Sequence, residues 1–113
     1  MKIDITFTNS SGKVVIDSQV IGLLAAINSE GSITQAAKSV GLSYKRAWDL
    51  LDILNSSLEC PAISTEIGGP GGGGTVLTNN GGVIMQTYFK MLGDCKKAAM
   101  TAKNDEAISS LIK

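Results

Sequence analysis

The stretch GSITQAAKSVGLSYKRAWDLLDIL, residues 31–54, decides the fold of this chain. It contains two serines, Ser32 and Ser43, each placed just before a run of apolar residues at helical spacing. A serine hydroxyl in that position accepts a hydrogen bond from a free N–H of the first helical turn. Ile33, Ala36, Ala37 and Val40 share the inner face of the first helix, and the second is expected to bury Ala47, Trp48, Leu51 and Leu54. Only Gly41 and Leu42 lie between the two patterns, so the corner is tight. Ala37 must then be small because the second helix crosses close by, and Gly41 suits a positive φ at which a Cβ would be costly. Ile33, Val40, Leu42, Ala47 and Leu50 fall where a helix-turn-helix requires apolar packing.

Working outward, Val20, Ile21, Leu24 and Ile27 define a preceding amphipathic helix, with Asp17 or Ser18 as its cap and Gly31 as its stop. Before it, Ile3, Ile5 and Phe7 alternate with polar residues, Asn9 to Gly12 supply a turn, and Val14 to Ile16 resume an apolar run. This predicts an N-terminal β-hairpin. Beyond the corner, Pro61 ends the helical region, and residues 62–67 and 75–78 read as two short strands around the glycine-rich run 68–74. Asn79 or Asn80 then opens a long helix bearing Val83, Ile84, Tyr88, Met91, Leu92, Cys95 and Ala99. The expected architecture is one domain over 1–113, mainly α with small β. It comprises the hairpin (1–16), a winged helix-turn-helix (17–78), a long helix (79–103) and a weakly patterned tail (104–113) that should fray.

At 113 residues and 43% hydrophobic, the chain can bury a core, yet it is small enough that a subunit interface would add useful stability. The apolar stripe of the long helix has no place in the completed winged unit and is expected to pair with a second copy. Met85, Met91 and Met100 read as packing in the same helix. No apolar run spans a membrane, no secretory leader is visible, and two cysteines, Cys60 and Cys95, make a poor disulfide framework, so a cytoplasmic chain is expected. The absence of histidine argues against a protein-built metal site, and no nucleophile–base set is recognisable, so neither cofactor nor catalysis is expected.

Ten basic residues balance ten acidic ones, which leaves local clustering to indicate a partner. From Gly31 to Trp48 the only charges are Lys38, Lys45 and Arg46. The first turn of a recognition helix is the part that reaches base edges in the major groove. Ser43, Tyr44, Lys45 and Arg46 occupy that turn. Arg46 has the fork that matches guanine, Lys45 suits a base or a phosphate, and Tyr44 a phosphate or a thymine methyl. Ser32, Thr34 and Gln35 suit a backbone phosphate at the start of the preceding helix. The glycine run lacks the Gly-Lys-Ser/Thr ending of a nucleotide loop and lies between strands. It reads instead as a wing, in which Gly69, Gly71, Gly72, Gly73 and Thr75 let bare backbone approach double-stranded DNA. A winged-helix module that binds another protein, such as a separate effector sensor, is the competing reading.

Residues 31–38, 41–49 and 68–78 (GSITQAAK, GLSYKRAWD and GGPGGGGTVLT) resemble the N-terminal domain of the ModE-type molybdate-responsive transcriptional regulators, over roughly residues 18 to 100. That resemblance implies a LysR-type winged helix and a homodimer paired through its long helices, with a recognition helix from each subunit in successive major grooves. Ser43 to Arg46 then fall in the recognition helix and 68–75 in the wing. Full-length members of the family continue into oxyanion-binding domains, whereas this sequence ends at Lys113. That leaves open a stand-alone regulator, a partner of a separate sensor, a regulator of another signal, or a piece cut at a domain boundary.

Overall fold

A computed structural model describes residues 1–66, 74–101 and 104–113. In chain order the elements are β1 (Phe7–Thr8), β2 (Val14–Ile16), α1 (Ser18–Glu30), α2 (Ile33–Ser39), α3 (Tyr44–Ser56), β3 (Ile63–Glu66), β4 (Gly74–Leu77), α4 (Asn79–Thr101) and α5 (Asn104–Ser109). Each pair of strands forms its own two-stranded antiparallel sheet. With three helices ahead of the β3–β4 pair and a long helix behind it, the fold is a winged helix-turn-helix.

α1 is the helix around which the others pack. Asp17 caps it, its carboxylate accepting from Val20 N–H at 3.0 Å, and Gly31 closes it at φ 70°. Val20, Ile21, Leu23, Leu24 and Ile27 are all buried at 1% exposure or less. They meet Ile33, Ala36 and Ala37 of α2 and Ala47, Leu50, Leu51 and Leu54 of α3 in one apolar cluster. Fully burying a Leu or Ile side chain is worth about 1.5–3 kcal/mol, so these residues supply most of the drive to fold.

The corner between α2 and α3 has the expected conformation, with Gly41 at φ 73°. Its hydrogen bonds form a complete Schellman closure: Leu42 N–H donates to Ala37 O at 2.9 Å and Gly41 N–H to Lys38 O at 3.2 Å. Ser43 then starts α3, its hydroxyl accepting from Arg46 N–H at 3.1 Å.

Several expectations are corrected. The first strand is limited to Phe7–Thr8, because the backbone of Ile5 pairs with a side chain rather than with a neighbouring strand. The Tyr88 hydroxyl donates to Ile5 O at 2.7 Å and accepts from Ile5 N–H at 3.4 Å. Residues 104–109 form helix α5 where a frayed tail was expected, with Asp105 and Glu106 placed favourably in its positive first turn. α4 does open at Asn79 as expected, and its cap is Thr78, whose hydroxyl accepts from Gly81 N–H at 3.0 Å while donating to Pro61 O at 2.6 Å.

Tyr88 is itself a correction to the expected pairing face of α4. It is 3% exposed in the core of its own protomer, and Ile84 and Leu92, four residues to either side, also turn towards that core. Val83, Met91 and Cys95 remain exposed and Ala99 is half-buried. Tyr88→Phe should therefore lower stability by about 1 kcal/mol, the usual net worth of one such hydrogen bond. A urea titration should show an earlier midpoint with an unchanged slope.

Candidate nucleic-acid interface

The surface around the start of α3 is built by three elements whose positions the backbone fixes. The Schellman corner sets the direction in which α3 leaves α2. The β3–β4 hairpin is tied down at both ends. Asn55, on the last turn of α3, accepts from Ala62 N–H at 2.8 Å through its side-chain oxygen, which anchors the residue before β3. At the other side, Thr75 N–H donates to Gly31 O at 3.0 Å. A Cβ at Gly74 would lie 2.9 Å from that same carbonyl, so this approach of β4 to the end of α1 requires glycine. The loop-side end of the β3–β4 ladder therefore stands beside the start of α2, next to Ser32.

On this surface Ser43, Tyr44, Lys45 and Arg46 are all exposed, as are Thr34, Gln35 and Lys38, while Ser32 is half-buried. Of the residues expected at the openings of the two helices, Ser32, Thr34 and Tyr44 line one groove. The hydroxyls of Ser32 and Ser43 are engaged as caps, with Ser32 accepting from Gln35 N–H at 3.2 Å, so both serve mainly to hold the turns. Lys45 reaches Asp49 one turn on, at 3.2 Å, with both side chains largely in solvent. An exposed pair of this kind contributes under about 1 kcal/mol and opens readily to another partner. Among the described residues Arg46 has no carboxylate partner, which leaves its guanidinium free to meet a ligand.

Two residues are not where the sequence put them. Thr75 is 4% exposed near the loop-side end of the β3–β4 ladder, so only an edge of it borders the groove beside α3. Gly69, Gly71, Gly72 and Gly73 lie outside the described residues. Trp48, expected in the core, is 37% exposed. The buried face of α3 is Ala47, Leu50, Leu51 and Leu54. Trp48 is displaced by about 100° from Ala47 around the helix axis, beyond the edge of that stripe. Its ring meets Tyr44 edge-on, with centroids 6.2 Å apart.

Between α3 and the hairpin runs an open groove of about 220 Å³. Tyr44 and Trp48 form one wall, Thr65, Glu66 and Gly74 the other, and Ser32 to Thr34 the end. A second furrow, almost wholly apolar, lies between the N-terminal hairpin and α4, bounded by Phe7, Ile16, Val83, Thr87 and Met91. Among the described residues no cluster of acids and cysteines could hold a metal ion, and no helix is long and apolar enough to cross a membrane. Cys60 and Cys95 are both exposed free thiols.

No family model matches the chain. Comparison with characterised proteins finds 38% identity over 96 residues with the DNA-binding transcriptional dual regulator ModE of Escherichia coli K12, covering 85% of this chain and 37% of that protein. The molybdenum transport protein ModE of Azotobacter vinelandii is 50% identical over 68 residues, which is 60% of this chain and 25% of the relative. The molybdenum-pterin-binding protein MopB of Rhodobacter capsulatus is 47% identical over a stretch of the same length and coverage. The chain spans between 25% and 37% of the length of these relatives. With a winged helix-turn-helix fold and this identity over most of its own length, the chain belongs to the ModE-type family.

Proposed function

We propose that this chain is a sequence-specific DNA-binding unit that regulates transcription of molybdenum- or oxyanion-related genes, acting as a homodimer on a palindromic site. The observation that carries the reading is the first turn of α3. Tyr44, Lys45 and Arg46 stand exposed and consecutive at a capped helix start, with the β3–β4 hairpin alongside Tyr44. That is a surface for reading base edges, and the likeness to regulators of the ModE type supports the same assignment. Nothing in this reading asks the chain to perform chemistry.

The dimer is supported by apolar surface left uncovered. Phe7, Val83, Phe89 and Met91 are each 38–52% exposed, and Phe7, Val83 and Met91 border the apolar furrow. A second copy laid along α4 would cover them, and the two recognition helices would then meet half-sites about one helical turn apart. Ile84, Tyr88 and Leu92 serve the protomer's own core, so pairing falls to the Val83 and Met91 edge of α4 with Cys95 and Ala99 beyond it. Sensing of an effector would belong to another part of the regulator or to a separate protein.

The test is a binding titration against genomic duplex fragments over a salt series, with the retained fragments sequenced. Enrichment of a palindrome is expected, with log affinity falling linearly against log salt at about 0.9 per phosphate contact. Binding that is weak, unselective and indifferent to salt would reject the reading in favour of a protein-interaction module.

A further inference from the structure

The groove between α3 and the hairpin has a chemistry of its own. An α-helix with its side chains is about 10–12 Å across, which matches the roughly 12 Å width of the DNA major groove. A duplex that accepts the start of α3 therefore has no room in the same groove for the β3–β4 hairpin beside it. The sugar–phosphate strand that borders the major groove must then run between helix and hairpin, along the groove that Tyr44 and Trp48 wall on one side.

Resting on the DNA-binding reading above, we infer that Trp48 is a contact for this strand, its indole packing on a deoxyribose. Trp48 is an apolar ring 37% exposed on an otherwise polar surface, and Tyr44 supports it edge-on. Glu66 in the opposite wall repels a phosphate, so at that point of the groove the uncharged sugar is the part of the strand that fits. Contacts to sugar position a protein on the duplex and carry no sequence information. Trp48 therefore contributes to affinity for every duplex alike, which separates it from Arg46.

Trp48 is the sole tryptophan of the chain, so its emission reports this contact alone. The experiment titrates the full chain with a dye-labelled duplex, of random sequence and then of an enriched sequence. Binding is followed by the anisotropy of the dye, and Trp48 by its emission and its quenching by acrylamide. The emission should change in step with the anisotropy, and acrylamide quenching should fall. Trp48→Ala should weaken both duplexes by the same factor, roughly tenfold for the loss of one large apolar contact. Trp48→Phe, which keeps an aromatic face, should recover most of that loss. Unchanged emission and quenching at saturating anisotropy would overturn the contact whatever the variants do, and so would full affinity in a folded Trp48→Ala. Should the anisotropy fail to move with any duplex, the DNA-binding reading itself falls and takes this inference with it.

Discussion

Gly81→Ala is expected to destabilise the protein by about 3 kcal/mol or more, against a helix-propensity gain of up to about 1 kcal/mol for the same change. Gly81 lies in the first turn of α4, where that helix passes directly over the backbone of Ala62, and an added Cβ would collide with the Ala62 carbonyl oxygen. Neither side can move away. Ala62 is held by Asn55 through its N–H and by Thr78 N–H at 3.0 Å through its carbonyl, and α4 is held by the Thr78 cap. Gly93, in the same helix, supplies the control, since a Cβ there meets nothing within 4 Å. Gly93→Ala should be neutral or stabilising by up to about 1 kcal/mol. The denaturant midpoint should fall for Gly81→Ala and hold or rise for Gly93→Ala. If Gly81→Ala matched Gly93→Ala, α4 would not be seated on Ala62 as described. Because α4 also carries the proposed pairing edge, Gly81→Ala should loosen the dimer along with the fold.

What could be read from the sequence was the chemistry that acts within a few residues. The caps Asp17, Ser32 and Ser43 and the closures at Gly31 and Gly41 each satisfy or redirect groups one turn away, so residue type and spacing suffice to place them. Trp48 was expected inside because it lies one turn before Leu51, but it sits at the outer edge of that turn. The spacing of Ala47, Leu50, Leu51 and Leu54 already set a stripe that excludes it. Asn55, Thr78 and Gly81 were missed for a different reason: each acts on residues 7 to 19 positions away, across a junction whose geometry no local pattern encodes. The Gly81-Gly82 pair inside a helical pattern was the one available signal, since glycine there is costly unless something passes close by. Tyr88 looked like an interface residue on periodicity alone, and its commitment to Ile5, 83 positions earlier, belongs to the packed fold.

That division between legible and illegible residues bears on which variant best isolates function. Arg46→Ala leaves the cap intact, because the bond to Ser43 uses the Arg46 backbone N–H. It breaks no ion pair among the described residues, and alanine is the better helix former, so the unfolding midpoint should hold or rise slightly. Affinity for the selected palindrome should nevertheless fall by roughly 1–3 kcal/mol per half-site, a factor of about 5 to 150, with the loss concentrated on one base pair. Random duplex should suffer only the loss of one cation, visible as a shallower salt dependence. The ratio of the two affinities is therefore the decisive quantity. A collapse of that ratio assigns Arg46 to a base edge, and equal losses on both duplexes would assign it to a phosphate. In the second case specificity would have to come from Tyr44 or from Lys45. Lys45 enters the groove already held by Asp49, so releasing it with Asp49→Asn would become the next variant to compare.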